Sequence, residues 1–274
     1  MKRREFIAAT AAVAAVTASG SIAQTPANNS RQMYYLLRNY TTAPGAGNAF
    51  DSYIRDALIP AANRLGITPV GVFSPWFGPV AGQGTRLVLL PGRSLETLAT
   101  LDLRLMDDAE YMKSAGGFLD ARGGDIAVTK LESQLMRSMD GLDGNITIPA
   151  NLTKPAARIF ELRVYAQPTW MAHRRKVKMF EEGEAISLAE AGFNNVFYAT
   201  NLVGGGMPGG TLPSLTYMWV YPSLAQREQA EKLWMSKEFT DSNAQKKVMQ
   251  RPDLQPSGGA ISNIILRPAA YSQM

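Results

Sequence analysis

Phe160-Glu161-Leu162-Arg163-Val164-Tyr165 repeats Tyr35-Leu36-Leu37-Arg38-Asn39-Tyr40 as aromatic-x-Leu-Arg-x-Tyr, with the two arginines 125 positions apart (163 minus 38). Each stretch alternates between two faces, the period of a β-strand. Working outward, apolar residues at Phe50, Tyr53, Ile54, Ala57, Leu58, Ala61 and Leu65 recur at helical spacing and stop at Gly66. A second such helix spans about Thr169 to Ala191 and stops at Gly192. Ser94-Leu95 and Ser223-Leu224 each open a later helix, 129 positions apart (223 minus 94). Strands are expected at 33–40, 69–74, 86–90 and 126–131, and again at 158–165, 194–200, 215–221 and 260–266. Each half therefore reads β-α-β-β-α-β, the ferredoxin-like order. Pro60 is expected to kink the first helix, and 107–122 reads as a broken polar segment.

The rest of the chain falls around these two units. Lys2, Arg3 and Arg4 precede a short apolar run from Ile7 to Ala18, and Ser21-Ile22-Ala23 then resembles an export cleavage site. The Arg3-Arg4-x-Phe6-Ile7 core resembles a bacterial twin-arginine signal, so residues 1–23 are assigned to export and the protein to the periplasm or the medium. Residues 24–32 read as a flexible leader, 33–136 as the first unit, 137–157 as a linker rich in turn formers, 158–268 as the second unit and 269–274 as a tail. The 274-residue chain is 46% hydrophobic and 19% charged, enough to bury a sizeable core. Without the signal its formal charge is near +3 (25 basic against 22 acidic residues), too small an excess to argue for nucleic acid. After signal cleavage no apolar run is long enough for stable membrane insertion. With no cysteine and one histidine, thiolate sites, cysteine nucleophiles and multi-histidine metal sites are excluded.

The opening strand motif, the hydrophobic-Gly helix ends (Leu65-Gly66, Ala191-Gly192) and the run Trp219-Val220-Tyr221-Pro222-Ser223-Leu224-Ala225-Gln226-Arg227 resemble the NIPSNAP family. The second half matches better, since Leu36 stands where the family favours an acid, as at Glu161. The resemblance covers about 33–136 and 157–268. It implies an α+β fold of two ferredoxin-like units that pair their antiparallel sheets as a dimeric α/β-barrel, here within one chain. It brings no agreed set of catalytic residues.

The candidate site follows from strand faces. Phe160, Leu162 and Val164, with Tyr35 and Leu37, form an apolar face suited to helices. The other face carries Arg38 and Tyr40 in one half and Glu161, Arg163 and Tyr165 in the other. Paired sheets would enclose that polar face between them, and enclosed charges must pair or bind something. One outcome is an Arg163–Glu161 pair that only fixes the interface. The other is a small-molecule pocket in which Arg38 or Arg163 neutralises an anion and Tyr40, Tyr165, Tyr198, Tyr217 and Trp219 line the walls. No catalytic residue, metal site or cofactor is assigned.

His173 heads the basic run His173-Arg174-Arg175-Lys176 and is expected on a solvated face, with Glu181, Glu182 and Glu184 supplying i,i+4 partners. Gly204-Gly205-Gly206-Met207-Pro208-Gly209 fits the dinucleotide fingerprint formally, yet a strand follows where that site needs a helix, so the loop reads as a hairpin connection. Three functions stay open. They are a binding or accessory module for a small molecule, a cofactor-independent monooxygenase-like enzyme acting on a small aromatic or anionic substrate, and a haem-handling protein. Expected partners are a small-molecule ligand and further copies of the chain.

Overall fold

The computed structural model describes residues 32–79, 81–82, 84–152, 158–204, 213–255 and 258–274. The export segment and most of the Val203 to Thr211 loop lie outside the described residues. The first half runs β1 (Tyr34–Thr42), α1 (Gly47–Tyr53), α2 (Ile59–Arg64), β2 (Gly71–Phe77), β3 (Thr85–Gly92), α3 (Leu95–Ala99), α4 (Leu101–Met106), α5 (Ala109–Leu119) and β4 (Val128–Ser138). The second runs β5 (Ile159–Ala166), α6 (Trp170–Met179), α7 (Ala185–Glu190), β6 (Asn194–Val203), β7 (Ser214–Tyr221), α8 (Leu224–Met235), α9 (Lys237–Ser242) and β8 (Ala260–Pro268).

The eight strands close into an antiparallel barrel in the order β1-β3-β2-β8-β5-β7-β6-β4. Within each half the order is last, first, third, second, and the halves join through β2–β8 and β4–β6. Closure removes the unpaired strand edges that would otherwise invite association. Registers match between halves: Leu36 faces Leu90 and Arg38 faces Val88, while Glu161 faces Trp219 and Arg163 faces Tyr217.

Among the described residues three large apolar clusters hold this arrangement, with a small fourth of Met179, Val248 and Leu254. One fills the barrel, drawing on all eight strands, with Tyr35, Leu37, Phe73, Phe160, Leu162 and Met218 among its members. The other two large clusters lie outside the barrel, between the sheet and the helices of each half. At one end Ile146 and Ile148 of the linker pack on the interior cluster, which also takes in Leu152 and Met274. Residues 269–274 run along β2, where the Ala269 and Gln273 amides donate to the carbonyls of Val72 and Val70 at 2.8 and 3.0 Å.

Several local features differ from the sequence expectation. Just before Pro60, where a kink is expected, the α1–α2 helix passes through a π-turn at Ile54–Leu58, whose wider ring accommodates a residue without an N–H immediately downstream. The same turn recurs at Phe180–Glu184, 126 residues later (180 minus 54). Both helices then end alike. Gly66 and Gly192 take positive φ, and the next amides, Ile67 and Phe193, reach back to Ala62 and Leu188 at 2.9 and 3.1 Å. The segment expected to be broken and polar contains a helix, α5, because the Asp108 carboxylate accepts the Tyr111 amide at 2.9 Å and Tyr111 and Ala115 form a buried i,i+4 pair. Its two glycines and sparse apolar positions hid it. Ser94 and Ser223 cap α3 and α8 by accepting the amides of Thr97 and Gln226.

Candidate functional site

The strand faces are inverted relative to the sequence reading. Tyr35, Leu37, Phe160, Leu162 and Val164 point into the barrel, and Tyr40, Tyr165, Tyr198, Tyr217 and Trp219 belong to the layers beneath the helices. Arg38, Glu161 and Arg163, in the same alternation as these, also face helices, since their partners lie on α4 and α8. Alternation separates two faces without saying which is interior. When both are buried, counter-charges decide: opposite Arg38, Glu161 and Arg163 the barrel interior offers mainly apolar side chains, whereas a covering helix can supply a partner.

On the second half that partner is α8. The Glu161 carboxylate, fully buried, accepts from Arg163 Nε at 2.8 Å and from Arg227 Nε and Nη2 at 2.8 and 2.9 Å. Arg163 also donates to Glu231, one helical turn beyond Arg227, and its guanidinium stacks over the Trp219 ring at 4.6 Å. Burial works against the Arg163 charge, and Glu161, Tyr217 and Glu231 more than offset it, so its pKa rises above the ordinary arginine value. Two acids and two arginines thus close on each other; the expected Arg163–Glu161 pair is present, but beneath α8, where it ties strand to helix, and not between the sheets. Arg227 and Glu231, at i,i+4 on α8, were the legible signal for it.

Behind this quartet lies an aromatic layer. Trp219 Nε1 donates to Tyr198 Oη at 3.2 Å, Tyr217 stands between Tyr198 and Trp219 with ring centroids at 5.9 and 4.9 Å, and burial pushes the phenol pKa values of Tyr198 and Tyr217 up. Here Lys176 and Glu184 form a buried ion pair, Nζ to carboxylate oxygens at 2.9 and 2.7 Å, with Nζ above the Tyr165 and Phe180 rings. Burial raises the Glu184 pKa and Lys176 opposes that rise.

This pair was not foreseen. Eight residues apart, the two side chains would point to different faces of a regular helix; the extra residue in the π-turn reduces the spacing to an effective i,i+7 and aligns them. Lys178 and Glu182 do make the expected i,i+4 pair, at 3.3 Å on the surface.

Arg38 and Tyr40 lie apart from this group, under the helices of the first half. Arg38 Nη2 meets Asp102 on α4 at 2.7 Å and Nη1 meets Tyr40 Oη at 3.3 Å. The structure therefore brings together Glu161, Arg163, Tyr165, Tyr198, Tyr217 and Trp219, and separates Arg38 and Tyr40 from them.

His173 corrects another expectation. It is buried, 6% exposed, with Nε2 2.6 Å from Thr200 Oγ1 and its ring edge-on to Trp170, and burial lowers its pKa. Helical placement next to three basic residues suggested solvent, but the position faces β6. Inside the barrel, one polar patch was also missed: Gln134 Nε2 donates to Thr216 Oγ1 at 2.9 Å and Asn39 Nδ2 to Glu132 at 3.1 Å. The Asn39 and Gln134 carbonyl oxygens are buried without a protein partner.

Among the described residues no cluster of ligating side chains could hold a metal ion, and no helix is long and apolar enough to cross a membrane. Among the described residues, clefts open outside the barrel, of about 480 Å³ beside α3, 620 Å³ between α1 and α5, and 420 Å³ beside α8.

No family model matches the chain, and no curated protein matches it. Solved structures do. A protein from Lactobacillus acidophilus NCFM named for a proposed monooxygenase activity aligns over 86% of this chain and 94% of its own at 10% identity and a TM-score of 0.46. An anthrone oxidase-like protein covers 88% and 94% at 15% identity and a TM-score of 0.44. A chlorite dismutase variant from Candidatus Nitrospira defluvii, bound to cyanide, covers 88% and 92% at 8% identity and a TM-score of 0.45. Similarity at this level says nothing of chemistry, and the α+β closed barrel stands on its own strand pairing.

Proposed function

We propose that this chain is an exported, NIPSNAP-like protein, built from two tandem ferredoxin-like units, that acts as a binding or accessory module for a small molecule. The observation that carries the reading is the packing of the barrel: among the described residues an apolar cluster of the chain's own side chains occupies its centre, and clefts of small-ligand size open outside it. Support for duplication comes from the matched strand order, the two π-turns and the two glycine helix ends, each at a separation of 126 residues (180 minus 54, 192 minus 66). Support for export comes from the Arg3-Arg4-x-Phe6-Ile7 core and Ser21-Ile22-Ala23.

Native mass spectrometry of the full chain recovered from the periplasm tests both parts. A retained small-molecule mass supports the binding reading; a bare chain whose unfolding no metabolite panel shifts overturns it. The same spectrum counts chains. Arg3→Lys with Arg4→Lys is expected to stop export, and unchanged export removes the twin-arginine assignment.

One observation favours an enzyme instead: Lys176 and Glu184 are a buried acid–base pair beside three tyrosines. Oxygen uptake with small phenols that disappears in Lys176→Met would establish the monooxygenase-like reading. For haem handling, His173 would first have to leave Thr200 and turn outward.

A further inference from the structure

Along the inward-facing positions of its strands the barrel changes character toward one end. On β1, Tyr35 and Leu37 are followed by Asn39; on β4, Met136 gives way toward the same end to Gln134 and Glu132. On β7, Met218 gives way to Thr216 and Ser214, and on β6, Ala199 is followed by Asn201. Small side chains complete this polar tier, with Ala199 beside Thr216 and Ala166 beside Ser214 in register. The opposite end is the one packed by Ile146, Ile148 and Leu152 of the linker.

The amides of this tier are turned the same way. Asn39 Nδ2 donates to Glu132 Oε2 at 3.1 Å, Gln134 Nε2 to Thr216 Oγ1 at 2.9 Å, and Asn201 Nδ2 to the Gly204 carbonyl. A carboxylate and a carbonyl only accept, which fixes the orientation of Asn39 and Asn201. Each amide spends its nitrogen on the protein. Among the described residues their three oxygens, together with Ser214 Oγ, are buried and have no partner. Asn39, Gln134 and Ser214 are 3%, 2% and 0% exposed, so water cannot reach these oxygens freely and the unmade hydrogen bonds are costly.

We infer that this end of the barrel binds the ammonium group of a short-chain primary amine. This deepens the small-molecule reading above and rests on it. An ammonium carries three donors and no acceptor, the complement of a tier whose amide oxygens face inward. Its hydrogen bonds are charge-assisted, and water or an alcohol meets the same oxygens with fewer donors. Glu132 supplies the counter-charge. Its side chain is 32% exposed, and its other oxygen meets Lys130 Nζ at 2.9 Å in a surface pair that contributes little and can yield to a buried cation. Leu37, Val164 and Met218 adjoin Gln134 and Thr216 and give an alkyl chain an apolar wall, with the packed core below keeping that chain short. A bare alkali cation would use the oxygens and not the wall.

Titration calorimetry on the full mature chain at fixed ionic strength tests the site with propylammonium against 1-propanol and potassium. Propylammonium is expected to bind, and the other two to bind about tenfold more weakly or worse. Glu132→Gln keeps an oxygen for Asn39 while removing the charge, and should weaken propylammonium about tenfold without changing 1-propanol. Gln134→Met removes one inward oxygen at similar volume and should weaken propylammonium as well, whereas Gln229→Met, in the cleft beside α8, leaves binding intact. Should Gln134→Met fail to fold, Glu132→Gln at the solvent edge still decides. Unchanged affinity in Glu132→Gln overturns the site, as does 1-propanol or potassium binding as tightly as propylammonium. If propylammonium does not bind at millimolar concentration the inference is wrong, and a different retained ligand in the mass spectrum would show that only this inference had failed.

Discussion

The two helix-covered layers occupy the same places in the fold and are built from opposite chemistry. Matching positions pair Leu36 with Glu161, Val72 with Tyr198, Val88 with Tyr217 and Leu90 with Trp219 on the strands, and Phe50 with Lys176 and Leu58 with Glu184 on the helices. The first layer buries a single charged side chain, Arg38, which reaches out to Asp102, and is otherwise apolar and aromatic; the second buries two acids, Glu161 and Glu184, and sets Lys176, Arg163 and Arg227 against them within the same topology. The first half shows that the fold needs no buried acid there. The buried acids of the second half are therefore an addition to that plan, and their desolvation works against the Coulombic gain of pairing.

The strongest way to break this comparison is to impose the first half's residue on the second. Glu161→Leu strands Arg163 and Arg227 beneath α8 with only Glu231 between them, and is expected to cost about 3–5 kcal/mol in urea unfolding. Adding Arg227→Met should recover part of that loss. A Glu161→Leu variant as stable as the wild type would mean that the quartet is solvated and that the layers differ less than they look.

The second exchange takes the helix pair. Lys176→Phe or Glu184→Leu alone leaves an uncompensated buried charge and should destabilise by about 3–5 kcal/mol, whereas the double variant recreates Phe50 and Leu58 and should be neutral or more stable by about 1–4 kcal/mol. A double variant that stays as unstable as the single ones would locate the cost in packing against Tyr165 and Phe180 rather than in charge.

What could be read from sequence divides along the same line. Element order, the doubled pattern and the capping serines and glycines were legible because each rests on local spacing, at Ser94 and Ser223 or Gly66 and Gly192. The sidedness of β1 and β5 was not, because Leu37 and Arg38 are both buried and period-two alternation carries no sign. Lys176 and Glu184 were hidden by one inserted residue at a π-turn that no composition rule marks. The burial of His173 depended on β6, a contact across 27 residues that neighbouring arginines obscured.

The smallest expected effect sharpens the comparison at the π-turns themselves. Arg55 in the first turn pairs with Asp56 in solvent; its counterpart Glu181 packs near Asp140 at the start of the linker. Burial, then the Asp140 charge, pushes the Glu181 carboxyl up to about 7, with Arg137 opposing. Unfolded, the same group loses its proton near 4.5, so the folded state is favoured by the bound proton below that pH. As pH rises from about 4.5 to 7 the unfolded chain ionises first, and stability falls across that window. For a half-exposed group the loss is about 1 kcal/mol after solvent screening. Glu181→Gln should flatten the profile between these values in denaturant melts taken at several pH values. Glu181→Arg, which supplies the first half's residue, should flatten it as well and add an attraction to Asp140. A slope that survives both substitutions would assign the acid-side stability to other carboxyls, and would leave the two π-turns alike in charge as they are in backbone.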